Sequence, residues 1–213
     1  MTRLMSASQK LTPSGLAALL CARICHDLVS PVGALGTALE ILDDDANADM
    51  HDDALTLVKS SSRKASAKLK YLRLALGAAG SAPGIIATEE IRQLASDMYD
   101  DAKPELVFDF ESDGVEKARA RLLLNLLMLG VQSVPRGGTV TLSTTAHRLS
   151  IIASGPRARL DENIERALMG RAPEDGFDGR TIQPFYAGMI ARELGGTIAA
   201  TITDETVTFR ADL

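Results

Sequence analysis

Apolar residues recur at steps of three and four from one end of a long segment to the other: Leu16, Leu20, Ile24, Leu28, Pro31 or Val32, Leu35, Leu39 and Leu42. That spacing places them on one stripe of a helix and predicts that the stripe is buried. Thr12-Pro13 supplies the start, with Thr as N-cap and Pro at the first helical position, where no N–H is needed. An Asp-rich run at 43–49 ends the helix and turns the chain. From about Asp52 to Leu76, the residues Leu55, Val58, Ser62, Ala65, Leu69, Leu72 and Leu76 alternate three and four apart, a heptad pattern suited to bundle packing. Asp52 and Asp53 at its start and Lys68, Lys70 and Arg73 near its end agree with the helix dipole. Two antiparallel amphipathic helices make a thin layer with apolar surface left over. The simplest cover is a second copy, so the pattern predicts a homodimer built on a four-helix bundle.

Composition bounds the rest. The 213 residues, 46% of them hydrophobic, suffice for two small domains. A net charge of -5 gives no general reason to bind nucleic acid or an anionic membrane, and 4% aromatics with no Trp argue against a stacking platform for bases. The N-terminus lacks a signal-peptide pattern, and no apolar run is read as approaching the ~20 residues of a membrane span, so a cytoplasmic protein is expected. Met1 to Lys10 has no periodicity and reads as a frayed arm. Cys21 and Cys25 are the only cysteines. His26 is rotated about 100° from Cys25 on a helix and no fourth ligand is in sight, so they read as reduced packing thiols and no metal is expected in the chain.

The chemistry concentrates in Ile24-Cys25-His26-Asp27-Leu28-Val29-Ser30-Pro31-Val32. His26 lies off the apolar stripe, on a face with Ala22, Ser30, Gly33 and Thr37 and beside Arg23 and Val29. Such a small-residue patch lets a partner bring its backbone or a phosphorylated side chain close to an outward imidazole. Pro31 in a helix interior removes a hydrogen bond and costs roughly 3 kcal/mol, usually with a kink. Six basic residues and no acidic ones lie between Lys59 and Arg73. The run is either a solvated face or an attraction for a partner with an acidic pocket. Arg23, Ser30, Gly33, Lys59 and Arg63 are the candidate docking residues.

His-Asp-Leu-x-x-Pro-Val resembles the H box of sensor histidine kinases, in which the His carries a phosphoryl group on a two-helix dimerisation domain. The resemblance makes His26 the phosphoacceptor and Asp27 the residue that orients the ring or accepts its proton; a surface salt bridge is the other reading of Asp27. Arg23 is either a forked donor to phosphoryl oxygens or a solvent-exposed arginine. Ser30 departs from the Thr or Asn that kinases with phosphatase activity carry there, which leaves that activity open.

Gly77 to Gly84 is a small-residue, breaker-rich linker, giving domains over 1–78 and 85–213. Beyond it the pattern is mixed. Helices are expected at about 88–101, 115–133, 161–168 and 184–194, with strands at 106–110, 139–145, 148–153, 197–203 and 207–211. Gly195-Gly196 leading into a hairpin through Asp204-Glu205 completes an outline, over Ile85 to Leu213, that resembles the ATP-binding (Bergerat, or GHKL) domain of histidine kinases. Its binding residues are missing. Leu129 stands where that family places the Asn that holds magnesium, and leucine offers no oxygen to a hard cation. Ala153 replaces the adenine-binding Asp, and a methyl group accepts no hydrogen bond. Thr181 and Gln183 stand for two phosphate-loop glycines, while Asn125 keeps the earlier, structural position of its motif.

An intact H box with a disabled nucleotide domain resembles the ChpT-type histidine phosphotransferases of bacterial phosphorelays. What that implies is an α+β homodimer that takes a phosphoryl group from the receiver domain of a hybrid kinase and gives it to response-regulator receivers. Mg2+ then comes from the partner receiver, and this chain binds no cofactor. The Arg-rich segment from Arg157 to Arg180 is a further candidate for the receiver interface. The alternatives are a divergent ATP-dependent kinase and a non-enzymatic dimeric adaptor or inhibitor.

Overall fold

A computed structural model describes residues 11–77, 82–174 and 176–213. The expected arm at 1–10 and the middle of the linker, 78–81, lie outside the described residues. In chain order the elements are α1 (Pro13–Leu42), a 3-10 turn (Asp45–Met50), α2 (His51–Ala75), β1 (Ile85–Ala87), α3 (Thr88–Met98), β2 (Pro104–Phe110), β3 (Gly114–Glu116) and α4 (Lys117–Ser133). They continue with β4 (Gly138–Thr144), β5 (Arg148–Ser154), α5 (Glu162–Leu168), α6 (Ile182–Glu193), β6 (Thr197–Thr203) and β7 (Thr206–Asp212). The chain is thus α+β, with an N-terminal helical hairpin and a C-terminal sheet.

Contacts divide the chain into two units, one of them Arg23–Ala102 with Asp113–Leu124. It contains the hairpin from Arg23 onward. Thr12 caps α1, its Oγ1 accepting the N–H of Gly15 at 3.1 Å, and Asp44 caps the turn, accepting from Ala46 N–H at 3.0 Å. Ala38 of α1 and Ala54 of α2 are buried. α3 packs on α2, and β1 pairs antiparallel with β3, Ile86 opposite Val115. The floor of this unit is aromatic: the Tyr71 hydroxyl donates to the Leu124 carbonyl at 2.7 Å, and its ring meets that of Tyr99 edge-on at 5.9 Å. Burial pushes both phenols upward from the ordinary tyrosine range.

Two expectations for α1 need correction. Its apolar stripe is only partly buried within the chain: Pro31 is buried and Leu16, Leu20, Ile24, Leu28, Leu35 and Leu42 are half-buried, while Val32 is 54% and Leu39 52% exposed. Periodicity identifies an apolar face but not what covers it, and the rest of the chain covers only a narrow strip. Moreover, α1 is long and apolar enough, by length and composition, to cross a membrane, with a mean hydropathy of 1.4 over an 18-residue window. The Ala, Cys and Val residues flanking the leucine stripe raise that average.

The other unit holds Lys103–Ser112 and Asn125–Leu213, with α1 up to Ala22. Its five-stranded sheet has the order β2-β4-β5-β7-β6; β2 and β4 are parallel and the other pairs antiparallel. Alternation decides the inner face. Val140 and Leu142, Leu149 and Ile151, and Val207 and Phe209 are buried, whereas Ile152 between them is exposed. The core also takes in Leu126, Leu127 and Leu129 of α4 and Ile182, Ala187 and Ile190 of α6. Gly130 has no room for a Cβ, which would strike Ile151 Cγ2; a side chain there would lift α4 off the sheet. Gly188 likewise admits the Leu168 carbonyl at the end of α5, which also accepts Arg192 Nη1 at 3.1 Å.

Candidate functional site

His26 stands in the middle of α1 with its side chain 85% exposed. Its Nδ1 lies 3.2 Å from Asp27 Oδ1. An ionised carboxylate has no proton to give, so this contact is a hydrogen bond when Nδ1 carries the hydrogen. In the neutral ring the lone pair is then on Nε2. The other carboxylate oxygen, Oδ2, accepts Arg23 Nε at 2.9 Å, an i,i+4 pair. The Arg23 and Asp27 side chains are only 16% and 13% exposed. Asp27 thus forms the salt bridge and also touches the imidazole. Arg23 is not the solvent-exposed arginine; its Nε is committed to Asp27.

Two features of the site have no counterpart among the sequence-derived candidates. Lys68 reaches from α2 and donates to the backbone carbonyl of Asp27 at 2.9 Å. Tyr99 is near enough to Arg23 and Asp27 for both charges to act on its phenol, Arg23 lowering and Asp27 raising it against the dominant upward effect of burial. Beside them Lys64 pairs with Asp101 at 2.6 Å, and this bond holds the Asp101 carboxyl below the usual range.

Of the remaining candidates, Ser30 and Gly33 are exposed on α1, as is Thr37, whose hydroxyl donates to the Gly33 carbonyl at 3.3 Å. A Cβ added at Gly33 would meet nothing within 4 Å, so the surface there is open. Lys59 and Arg63 are exposed on α2. Among the described residues neither joins the Arg23–Asp27–His26 cluster. Cys21 and Cys25 are both exposed, not packed within the chain.

In the sheet-bearing unit, the positions compared with a nucleotide site are buried. Leu129 is 1% and Ala153 0% exposed. Gln183 is buried, and its amide nitrogen donates to the carbonyl of Asn125 at 2.7 Å and to that residue's Oδ1 at 3.2 Å. Thr181 lines a cavity of about 350 Å³ together with three acidic side chains, Glu162, Glu174 and Asp178, and one basic side chain, Arg166. Burial pushes the Asp178 carboxyl up, but hydrogen bonds from Thr181 and the Arg180 N–H outweigh it and hold it below the usual range. Among the described residues no group of three or more His, Cys, Asp or Glu side chains is placed to hold a metal ion.

Residues 88–206 match the family described as the histidine phosphotransferase C-terminal domain. The chain is also 38% identical over 212 residues to Protein phosphotransferase ChpT of Brucella abortus (strain 2308), covering 98% of this chain and 100% of that one. The chain belongs to the histidine phosphotransferase family. Among solved structures, a bacterial phosphotransferase superposes with a TM-score of 0.84 at 34% identity, over 97% of this chain and 100% of the other.

Proposed function

We propose that this chain is a phosphorelay histidine phosphotransferase in which His26 accepts a phosphoryl group from the aspartyl phosphate of one receiver domain and gives it to the aspartate of another. The observation that carries the reading is the exposed imidazole whose Nδ1 faces Asp27 Oδ1, itself tied to Arg23.

Nε2 attacks phosphorus in line, the N–P bond forms, the P–O bond to the donor aspartate breaks, and that carboxylate leaves. Phosphoryl transfer passes through a loose transition state, so the chain's contribution is mainly placement of the nitrogen and protection of its lone pair. Asp27 provides both: it holds the tautomer and stabilises the positive charge that the ring gains as the bond forms. Return of the phosphoryl group to a second aspartate is the same step reversed. The magnesium ion that neutralises the phosphoryl oxygens belongs, on this reading, to the receiver.

The working form is a cytoplasmic homodimer. Support comes from the apolar side chains left outside the hairpin: Val29, Val32 and Leu39 on α1, Leu55 and Leu69 on α2. A second copy of the hairpin covers this face, which also accounts for the apolarity of α1. The exposed small residues Ser30 and Gly33 and the cations Lys59 and Arg63 then serve receiver docking.

The test is incubation with a radiolabelled, phosphorylated receiver domain. The wild type takes up acid-labile label, and His26→Ala takes up none while its unfolding curve is unchanged. Label retained by His26→Ala refutes the assignment.

A further inference from the structure

Pro31 has no N–H, so the carbonyl of Asp27, four residues earlier, has no helical donor. In a partly buried position such a carbonyl costs stability unless something else donates to it. Here the donor is the ammonium of Lys68, 2.9 Å away and 41 residues on in sequence. Three bonds thus converge on one residue. Oδ1 meets His26, Oδ2 takes Arg23, and the backbone oxygen takes Lys68.

We infer that Lys68 is a positioning residue for His26: it supplies from α2 the hydrogen bond that Pro31 removes from α1, and so fixes the backbone from which Asp27 aims the imidazole. Its functional half rests on the phosphotransfer reading above. The proline loosens the helix one turn after the reactive residue, and the lysine sets where the loosened turn comes to rest. Arg23 alone cannot do this, because it lies on the same helix and moves with it. The anchor has to come from the neighbouring helix.

The full chain tests this with Lys68→Met, which keeps most of the stem and removes the donor, with Pro31→Ala, which returns an N–H to the Asp27 carbonyl, and with the double variant. In the Pro31 protein, Lys68→Met slows single-turnover phosphoryl acceptance at saturating receiver by about tenfold, the equivalent of one lost bond to a partly buried carbonyl. The half-saturating receiver concentration stays within about twofold, and the 15N spectrum of His26 shows less of the Nδ1–H tautomer. In the Pro31→Ala background the same substitution changes the rate by less than about twofold, since the carbonyl no longer needs it. Lys68→Arg, which keeps a donor, restores most of the rate. Equal slowing in both backgrounds overturns the inference, as does a change confined to half-saturation, which would make Lys68 a docking charge. Urea unfolding of the four proteins reads the same coupling without any phosphoryl transfer. Absence of label on the wild type would therefore sink the functional reading while leaving the Lys68–Asp27 bond to be decided by unfolding and tautomer.

Discussion

Replacing Leu129 by Asn restores the residue type that a magnesium-binding helix would carry, and the surroundings set what it does. The leucine is 1% exposed within the core of the sheet-bearing unit. Removing its buried branch forfeits about 1.5–3 kcal/mol of apolar burial. The amide introduced in its place is buried in that core, and leaving it unsatisfied costs about 1–3 kcal/mol more. The sum, roughly 3–6 kcal/mol, is a large part of the stability of an ordinary domain. At roughly 2–4 °C per kcal/mol for a chain of this size, the melting temperature falls by about 6–24 °C. Circular dichroism on heating, with and without ATP and Mg2+, measures both consequences: the variant melts early, and nucleotide rescues neither it nor the wild type. Saturation at about a hundred times Kd would stabilise a real binder by about 2.7 kcal/mol. Leu129→Asn melting within 2 °C of wild type, or nucleotide raising either midpoint by several degrees, would refute the reasoning and revive the divergent kinase.

Three further outcomes are expected. Val32→Asp combined with Leu69→Asp places charges on the exposed apolar face of the hairpin; sedimentation equilibrium should report monomers with unchanged helix content, and a persistent dimer would mean that the interface lies elsewhere. Gly188→Ala drives a Cβ into the Leu168 carbonyl, and overpacking of this kind should lower stability by about 1–3 kcal/mol in urea titration. The Asp101 carboxyl is held low in the folded chain by Lys64, so its stabilisation is present above the ordinary aspartate pKa of about 3.9 and is lost as pH falls through the lower folded value. Lys64→Met should cost a few tenths of a kcal/mol at pH 6, the pair being exposed, and nothing near pH 2, as read by urea unfolding at both values.

The local punctuation of the fold is legible in the sequence. Thr12-Pro13 marks the start of α1, the Asp run its end, and alternation or β-branching marks β4 and β5. What is not legible depends on distant pairing. β1 and β3 have three residues each, too few for any period, so Val115 reads as the start of a helix when it is a strand residue opposite Ile86. The parallel pairing of β2 with β4 joins segments separated by all of α4. At the site, His26 and its exposure follow from its position off the stripe. The Arg23–Asp27 bond was available from its i,i+4 spacing. Lys68 had a subtler signal: a proline inside a helix implies an orphaned carbonyl four residues back, which needs a donor from somewhere, but only the three-dimensional arrangement says from where.

The exposure of His26 also bears on time. A side chain 85% open to solvent has no wall behind which to shelter a group, and on the proposed reading water would reach a phosphohistidine there as freely as a receiver does. The group's dwell on this protein is then a race between hydrolysis and the next encounter. On the proposed phosphotransfer reading, the chain would pass a message on rather than store it, and the abundance of acceptors would govern how much of the signal survives the hand-off.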